Sequence, residues 1–175
     1  DAANALPRRY AILEPSADLR ERQRDRLAVN LSPTQFARVE WLDRLPESDW
    51  RGVLFANEVL DALPTTRFEW REGEVWEQCV AVDDGRFVWL SRPADGLVGG
   101  AVRRLRGYLA QPQWEDGYVS ECLPQLPYWL DAVCGSLAQG LVLFVDYGYP
   151  RREFYLPERR TGTLSCFYRH RTHDQ

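Results

Sequence analysis

The chain has 175 residues, 45% of them hydrophobic and 27% charged, a balance that suits one globular domain with a full-sized core. Its net charge of −4 argues against a broad phosphate-binding surface and so against a nucleic-acid partner. Cys79, Cys122, Cys134 and Cys166 form no C-x-x-C pair and no apolar run is long enough to span a bilayer, which sets aside a disulfide framework, a zinc site and a membrane span. No signal peptide is visible, so a cytoplasmic setting with reduced thiols is the expectation, or the mitochondrial matrix in a eukaryote. There is no Met, and the chain opens on D-A-A-N-A-L-P and stops at H-D-Q, so it reads as a piece of a longer protein.

In chain order, Tyr10-Ala11-Ile12-Leu13 is a short unbroken apolar run. It predicts a strand buried on both faces of a parallel sheet, with Glu14 at its carboxyl end. Ser16 then caps a helix running to about Leu27, with Asp18 in the first turn and Arg20 to Arg26 as a solvated face. Val53-Leu54-Phe55-Ala56 predicts a second buried strand, ending in Asn57-Glu58. A short helical turn to Pro64 would place Glu58 and Asp61, three residues apart, on one face.

Residues 66 to 91 change character. Phe68, Trp70, Val75, Trp76, Val80, Val82, Phe87 and Trp89 fall in short segments divided at Arg71-Glu72-Gly73 and Asp83-Asp84-Gly85. That pattern predicts an antiparallel meander, inserted between parallel strands as a lid or substrate-binding subdomain would be. A basic amphipathic helix is expected over about Val102 to Leu109. A further helix is expected from Leu123 to Ala138, closed by Gly140. Leu141 to Val145 predicts the third buried strand, ending in Asp146-Tyr147-Gly148. His170 and His173 stand three apart with no third ligand in view, so no metal site is expected.

Three strand ends bearing polar groups outline one ligand site, since open α/β sheets bind ligands beyond the carboxyl ends of their strands. A carboxylate such as Glu14 can accept hydrogen bonds from both hydroxyls of a ribose, which serves a nicotinamide or a sulfonium nucleoside cofactor equally. Glu58 and Asp61 form a carboxylate pair that suits a cationic group, and a guanidinium above all. Tyr147 can close over a ligand. No glycine-rich phosphate or nucleotide loop is present. Tyr10 to Leu13 therefore reads as the second strand, with the first strand and its glycine loop lying before Asp1.

Four ordered segments resemble the MidA-like S-adenosyl-L-methionine (SAM)-dependent methyltransferases. They are Y-A-I-L-E-P-S-A-D-L-R-E-R-Q (Tyr10 to Gln23), G-V-L-F-A-N-E-V-L-D-A-L-P (Gly52 to Pro64), L-V-L-F-V-D-Y-G-Y (Leu141 to Tyr149) and E-F-Y-L-P-E-R-R-T-G-T-L-S-C-F-Y-R-H (Glu153 to His170). The resemblance implies an α/β, Rossmann-like methyltransferase sheet, here without its first strand and glycine loop. Residues 1–64 and 141–175 would form the core, and 65–140 an inserted meander with helices. It implies SAM as cofactor and, from mitochondrial relatives that assist complex I assembly, dimethylation of a protein arginine. It places Glu14, Ser16 and Asn57 against the cofactor, Asn57, Glu58 and Asp61 at the reaction centre, and Asp146, Tyr147 and His170 in the substrate cleft. Two rivals remain: a non-catalytic assembly or scaffold factor whose aromatic meander meets a partner, and an NAD-dependent oxidoreductase.

Overall fold

A computed structural model describes residues 6–47, 49–109, 114–169 and 171–173. Its contacts group into two compact units, Asp1–Arg51 with Ser136–Gln139, and Gly52–Gly135 with Gly140–Gln175. Together they form a mixed α/β chain with both parallel and antiparallel strand pairing.

In the first unit, β1 (Tyr10–Leu13) pairs in parallel with β2 (Val39–Leu42), Tyr10 opposite Val39 and Leu13 opposite Leu42. Between them run α1 (Ala17–Asn30) and the single turn α2 (Pro33–Phe36). α1 starts where expected: the Ser16 side chain accepts the Leu19 N–H, and Asp18 complements the dipole. Ser32 and Gln35 form a reciprocal capping box that starts α2, with Pro33 in its first turn. The Trp41 ring of β2 takes the Arg24 guanidinium of α1 at 4.8 Å from its centroid, a contact that anchors an otherwise solvated helix.

The second unit takes in β3 (Trp50–Asn57) from Gly52 and β8 (Leu137–Val145) from Gly140, two strands that hydrogen-bond with each other. A four-stranded sheet runs in the order β6 (Arg86–Pro93), β5 (Glu74–Asp83), β4 (Thr66–Arg71), β7 (Tyr118–Cys122), antiparallel throughout. The meander is therefore as the sequence predicts. Glu72-Gly73 and Asp84-Gly85 all hold positive φ, the requirement of two-residue type I′ hairpin turns. α3 (Gly96–Gly107) covers one face of this sheet. Phe68, Trp70, Val75, Tyr118 and Cys122 from the strands meet Val98 and Val102 from α3 and Trp114 from just before β7, and these eight side chains are the buried core among the described residues. α4 (Leu126–Cys134), α5 (Arg151–Phe154) and the hairpin β9 (Cys166–Tyr168) with β10 (Arg171–His173) complete the chain.

Three expectations need correction. β1, β3 and β8 are not buried on both faces; their side chains alternate between partly covered and exposed, and Val53 is 67% exposed. Each lies in a two-stranded sheet among the described residues, and Phe144 of β8 meets the Trp129 ring of α4 at 5.8 Å. The helix expected to run to Ala138 ends at Cys134, where Gly135 N–H bonds to the Asp131 carbonyl, and the chain extends into β8 from Leu137. The helix expected from Val102 starts six residues earlier, because Asp95 caps it by accepting the Val98 N–H at 2.8 Å. Among the described residues no helix is long and apolar enough to cross a membrane.

Candidate functional site

The carboxyl ends of β3 and β8 meet in the second unit. The ladder extends past β3 through Glu58 N–H to Val145 O at 2.9 Å. Glu58 then takes a φ of +50, a conformation uncommon for a residue with a Cβ. It breaks the backbone away from the strand, and residues 58–63 form bends and a turn in place of the expected helix. Glu58 and Asp61 consequently share no helical face. The only internal backbone bond among the described residues of this turn is Leu63 N–H to Leu60 O, at 3.2 Å.

Asp146 at the end of β8 supplies what the turn lacks. Its Oδ2 accepts the N–H groups of Leu60 and Asp61 at 3.0 and 3.2 Å, and its Oδ1 accepts the Tyr147 N–H at 2.9 Å. Tyr147 then donates its phenolic O–H to Asp61 Oδ2 at 2.7 Å. The hydrogen bond to Asp61 holds the Tyr147 pKa above the ordinary phenol range, and the charges of Asp61, Asp146 and Glu58 add to it. Tyr147 therefore stays a donor among three carboxylates.

Asp61, Asp146 and Tyr147 form one edge of a cleft of about 590 Å³, a size that accommodates a small ligand or an extended side chain. Its walls are largely apolar: Leu105 and Tyr108 from α3, and Phe154 and Tyr155 from the C-terminal segment. Arg104 and Arg151 also reach it, and the Arg151 guanidinium lies 4.7 Å from the Tyr108 ring centroid. Sequence reading missed Tyr108, Arg151 and Tyr155. Their only signal was the overall richness in aromatic residues, because they come from separate elements. Tyr155 is positioned by its O–H, which donates to the Glu121 carbonyl at 2.8 Å. Burial, followed by the charges of neighbouring groups, pushes its pKa well above the phenol range.

Glu14 lies in the first unit at the carboxyl end of β1. Its Oε1 accepts the Ser16 N–H at 2.9 Å, and its Oε2 accepts Gln23 Nε2 at 3.4 Å. Gln23 is itself held by the Trp41 indole N–H, at 3.1 Å. The carboxylate is thereby oriented while keeping acceptor capacity for the two hydroxyls of a ribose. That donor and acceptor set fits the ribose of a nucleoside cofactor. The Ser16 hydroxyl is occupied as the α1 cap. His170 lies outside the described residues. Among the described residues, no group of three or more His, Cys, Asp or Glu is placed to hold a metal.

Comparison with known proteins finds relatives over nearly the whole of this chain. Residues 2–175 match a family model described as "Putative S-adenosyl-L-methionine-dependent methyltransferase". The native crystal structure of an uncharacterized Burkholderia thailandensis protein superposes with a TM-score of 0.84 at 39% identity, over 99% of this chain and 45% of that one. A Burkholderia thailandensis crystal structure bound to S-adenosyl-homocysteine gives 0.83 at 39% identity, over 99% of this chain and 43% of that one. The chain thus spans less than half the length of these solved relatives. No curated protein matches it.

Proposed function

We propose that this chain, which belongs to the S-adenosyl-L-methionine-dependent methyltransferase family that includes the MidA-like proteins, carries the acceptor side of a site that methylates a protein arginine nitrogen. In this reading residues 65–140 are the subdomain that shapes the acceptor cleft. The observation that carries the proposal is the Asp61 carboxylate, fixed by Tyr147 at the edge of an apolar cleft. The methylene stem of an arginine suits apolar walls, and its guanidinium suits carboxylates at the end of them.

SAM, when bound, supplies an electrophilic methyl group on a sulfonium. In this reading Glu14 would accept hydrogen bonds from its ribose, and Asn57, at the end of β3, would be a residue of the reaction centre. Glu58 and Asp61 orient the guanidinium and balance its charge. The guanidinium is protonated at neutral pH, so one N–H proton would pass to solvent as the nitrogen gains the methyl group and the sulfonium, losing its S–CH3 bond, would leave as the neutral thioether. No strong base is needed beforehand. The residues act chiefly by holding the nitrogen in line, which is where positioning contributes most.

The test is transfer of labelled methyl from SAM by the longest natural form of the protein to an arginine-containing acceptor, with methylarginine identified after hydrolysis. Glu58→Gln should reduce that transfer at least about tenfold, the loss expected for one charge-assisted contact. Undiminished transfer by this variant would remove Glu58 from the site, and label found only on other side chains would refute the arginine reading. One observation favours a second reading, a non-catalytic assembly factor. The β5–β6 hairpin exposes Val80, Val82 and Phe87, the last by 80%, and such patches meet partners. Calorimetry separates the two, because the assembly reading expects no heat of SAM binding.

A further inference from the structure

Asp146 falls at a strand end where a substrate-binding carboxylate is expected, yet its oxygens are turned toward the protein's own backbone. A carboxylate offers about four acceptor positions. Three of those on Asp146 are filled, by the N–H groups of Leu60, Asp61 and Tyr147. From this arrangement we infer that Asp146 and Tyr147 are positioning residues: Asp146 fixes the backbone of Asp61, Tyr147 fixes its carboxylate, and Asp61 alone of the three presents a charge to the acceptor.

The turn needs such a brace. It leaves β3 through a left-handed Glu58, contains no helix, and makes a single internal backbone bond among the described residues. Asp61 is pinned at both ends, its N–H on Asp146 and its Oδ2 on the Tyr147 O–H. The side chain therefore loses its torsional freedom before an acceptor arrives, which lowers the entropy cost of binding. No described residue donates to Asp61 Oδ1, so that oxygen remains for a cationic donor. Tyr147 is 73% exposed; removing its hydroxyl disturbs no core packing, which makes the inference testable by a one-atom change.

The inference rests on the proposed acceptor role of this turn, and two experiments separate its failure from that of the role. The first is a double-mutant cycle in the longest natural form of the protein, with an arginine-containing peptide that the wild type methylates. Tyr147→Phe should raise the acceptor KM about tenfold, the loss of one charge-assisted hydrogen bond, with kcat and the SAM dissociation constant little changed. In an Asp61→Asn background the same change should have an effect within about twofold, because Tyr147 acts only through Asp61. Effects that multiply in the double variant, or a Tyr147→Phe enzyme with the wild-type KM, would overturn the inference. The second experiment needs no substrate. Asp146→Ala removes the acceptor of all three N–H groups, so amide exchange at Leu60 and Asp61 should quicken at least about tenfold while the amides of β4 stay protected. Unchanged exchange at both positions would overturn the brace even if no acceptor were found. Absence of methyl transfer by the wild type, with quickened exchange in Asp146→Ala, would refute the acceptor role and leave the brace standing.

Discussion

Trp114 lies flat against Tyr118, the ring centroids 4.8 Å apart and the planes 7° from parallel. Around this stack, Phe68, Trp70 and Tyr155 meet Trp114 at tilted or edge-on angles. Its indole N–H donates to the Tyr155 carbonyl at 3.3 Å. One side chain from a loop thus ties the strands of the meander to the segment that forms a cleft wall. Trp114→Ala should destabilise the fold by about 3–5 kcal/mol, the cost of a large buried ring and the cavity left behind. Urea unfolding checks this, and a loss below about 1 kcal/mol would show that Trp114 is not part of the core.

Glu69 tests the opposite face of the same sheet. It is 7% exposed and accepts two bonds from Arg71 at 2.9 Å, one from Ser91 at 2.8 Å and one from Gln78 at 3.3 Å. Burial raises its pKa, but the bonds from Ser91, Arg71 and Gln78 outweigh burial and hold it below the ordinary carboxylate range. A depressed folded-state pKa means that the folded state binds fewer protons than the unfolded one. The stabilisation is therefore complete above the unfolded-state pKa and disappears as pH falls through the folded value. The difference in urea midpoint between the wild type and Glu69→Gln should be widest near neutral pH and should shrink as pH falls below the usual glutamate range. A difference that is constant with pH would mean that the carboxylate's charge contributes nothing.

What was legible in the sequence depends on whether its cause is local. The β4–β5 and β5–β6 turns were readable because Glu72-Gly73 and Asp84-Gly85 carry their own backbone preference. The Ser16 cap was readable for the same reason. β7 was not read, although the Asp116-Gly117 turn stands just before it with Gly117 at φ +79; Tyr118–Cys122 is a strand through its pairing with β4, Tyr118 opposite Trp70. The exposure of β3 and β8 was also hidden. An unbroken apolar run states what a strand could bury, and the covering layer decides what it does bury. In the turn after β3, Asn57, Glu58 and Asp61 were readable as members of one segment. Their conformation was not, because the group that shapes the turn, Asp146, is 86 residues from Leu60.

Cys122 gives a chemical check on the core. It is buried, and burial first, then the charges of Glu121 and Glu77, push its thiol pKa up to about 12. At pH 8 its thiolate fraction is then about one in ten thousand, and the thiolate is the reactive form. Cys79 and Cys134 are free and only partly covered. Alkylation at pH 8 followed by peptide mapping should modify Cys79 and Cys134 in the native protein, and Cys122 only after denaturant is added. Native labelling of Cys122 at a rate matching Cys79 would contradict the burial of Cys122 in the core.

Two glycines with positive φ separate backbone freedom from close approach. Gly73 has φ +78 and open space where a Cβ would stand. Alanine there meets only the conformational penalty, about 1 kcal/mol. Gly140 of β8 has φ +153, and a Cβ on it would overlap the Gly52 carbonyl of β3, with the carbonyl carbon 2.9 Å and the Gly52 nitrogen 3.1 Å away. The obstacle is backbone, so no rotamer change relieves it. Gly140→Ala should add about 1–3 kcal/mol of overpacking to the conformational term. It should also loosen the pairing of β3 with β8, the strands whose ends carry Asn57 and Asp146. Urea unfolding of the two variants side by side decides the matter. Gly140→Ala is expected to be the more destabilised, and equal losses would place the two glycines in the same conformational role and remove the close approach of β3 and β8 as a determinant of the site.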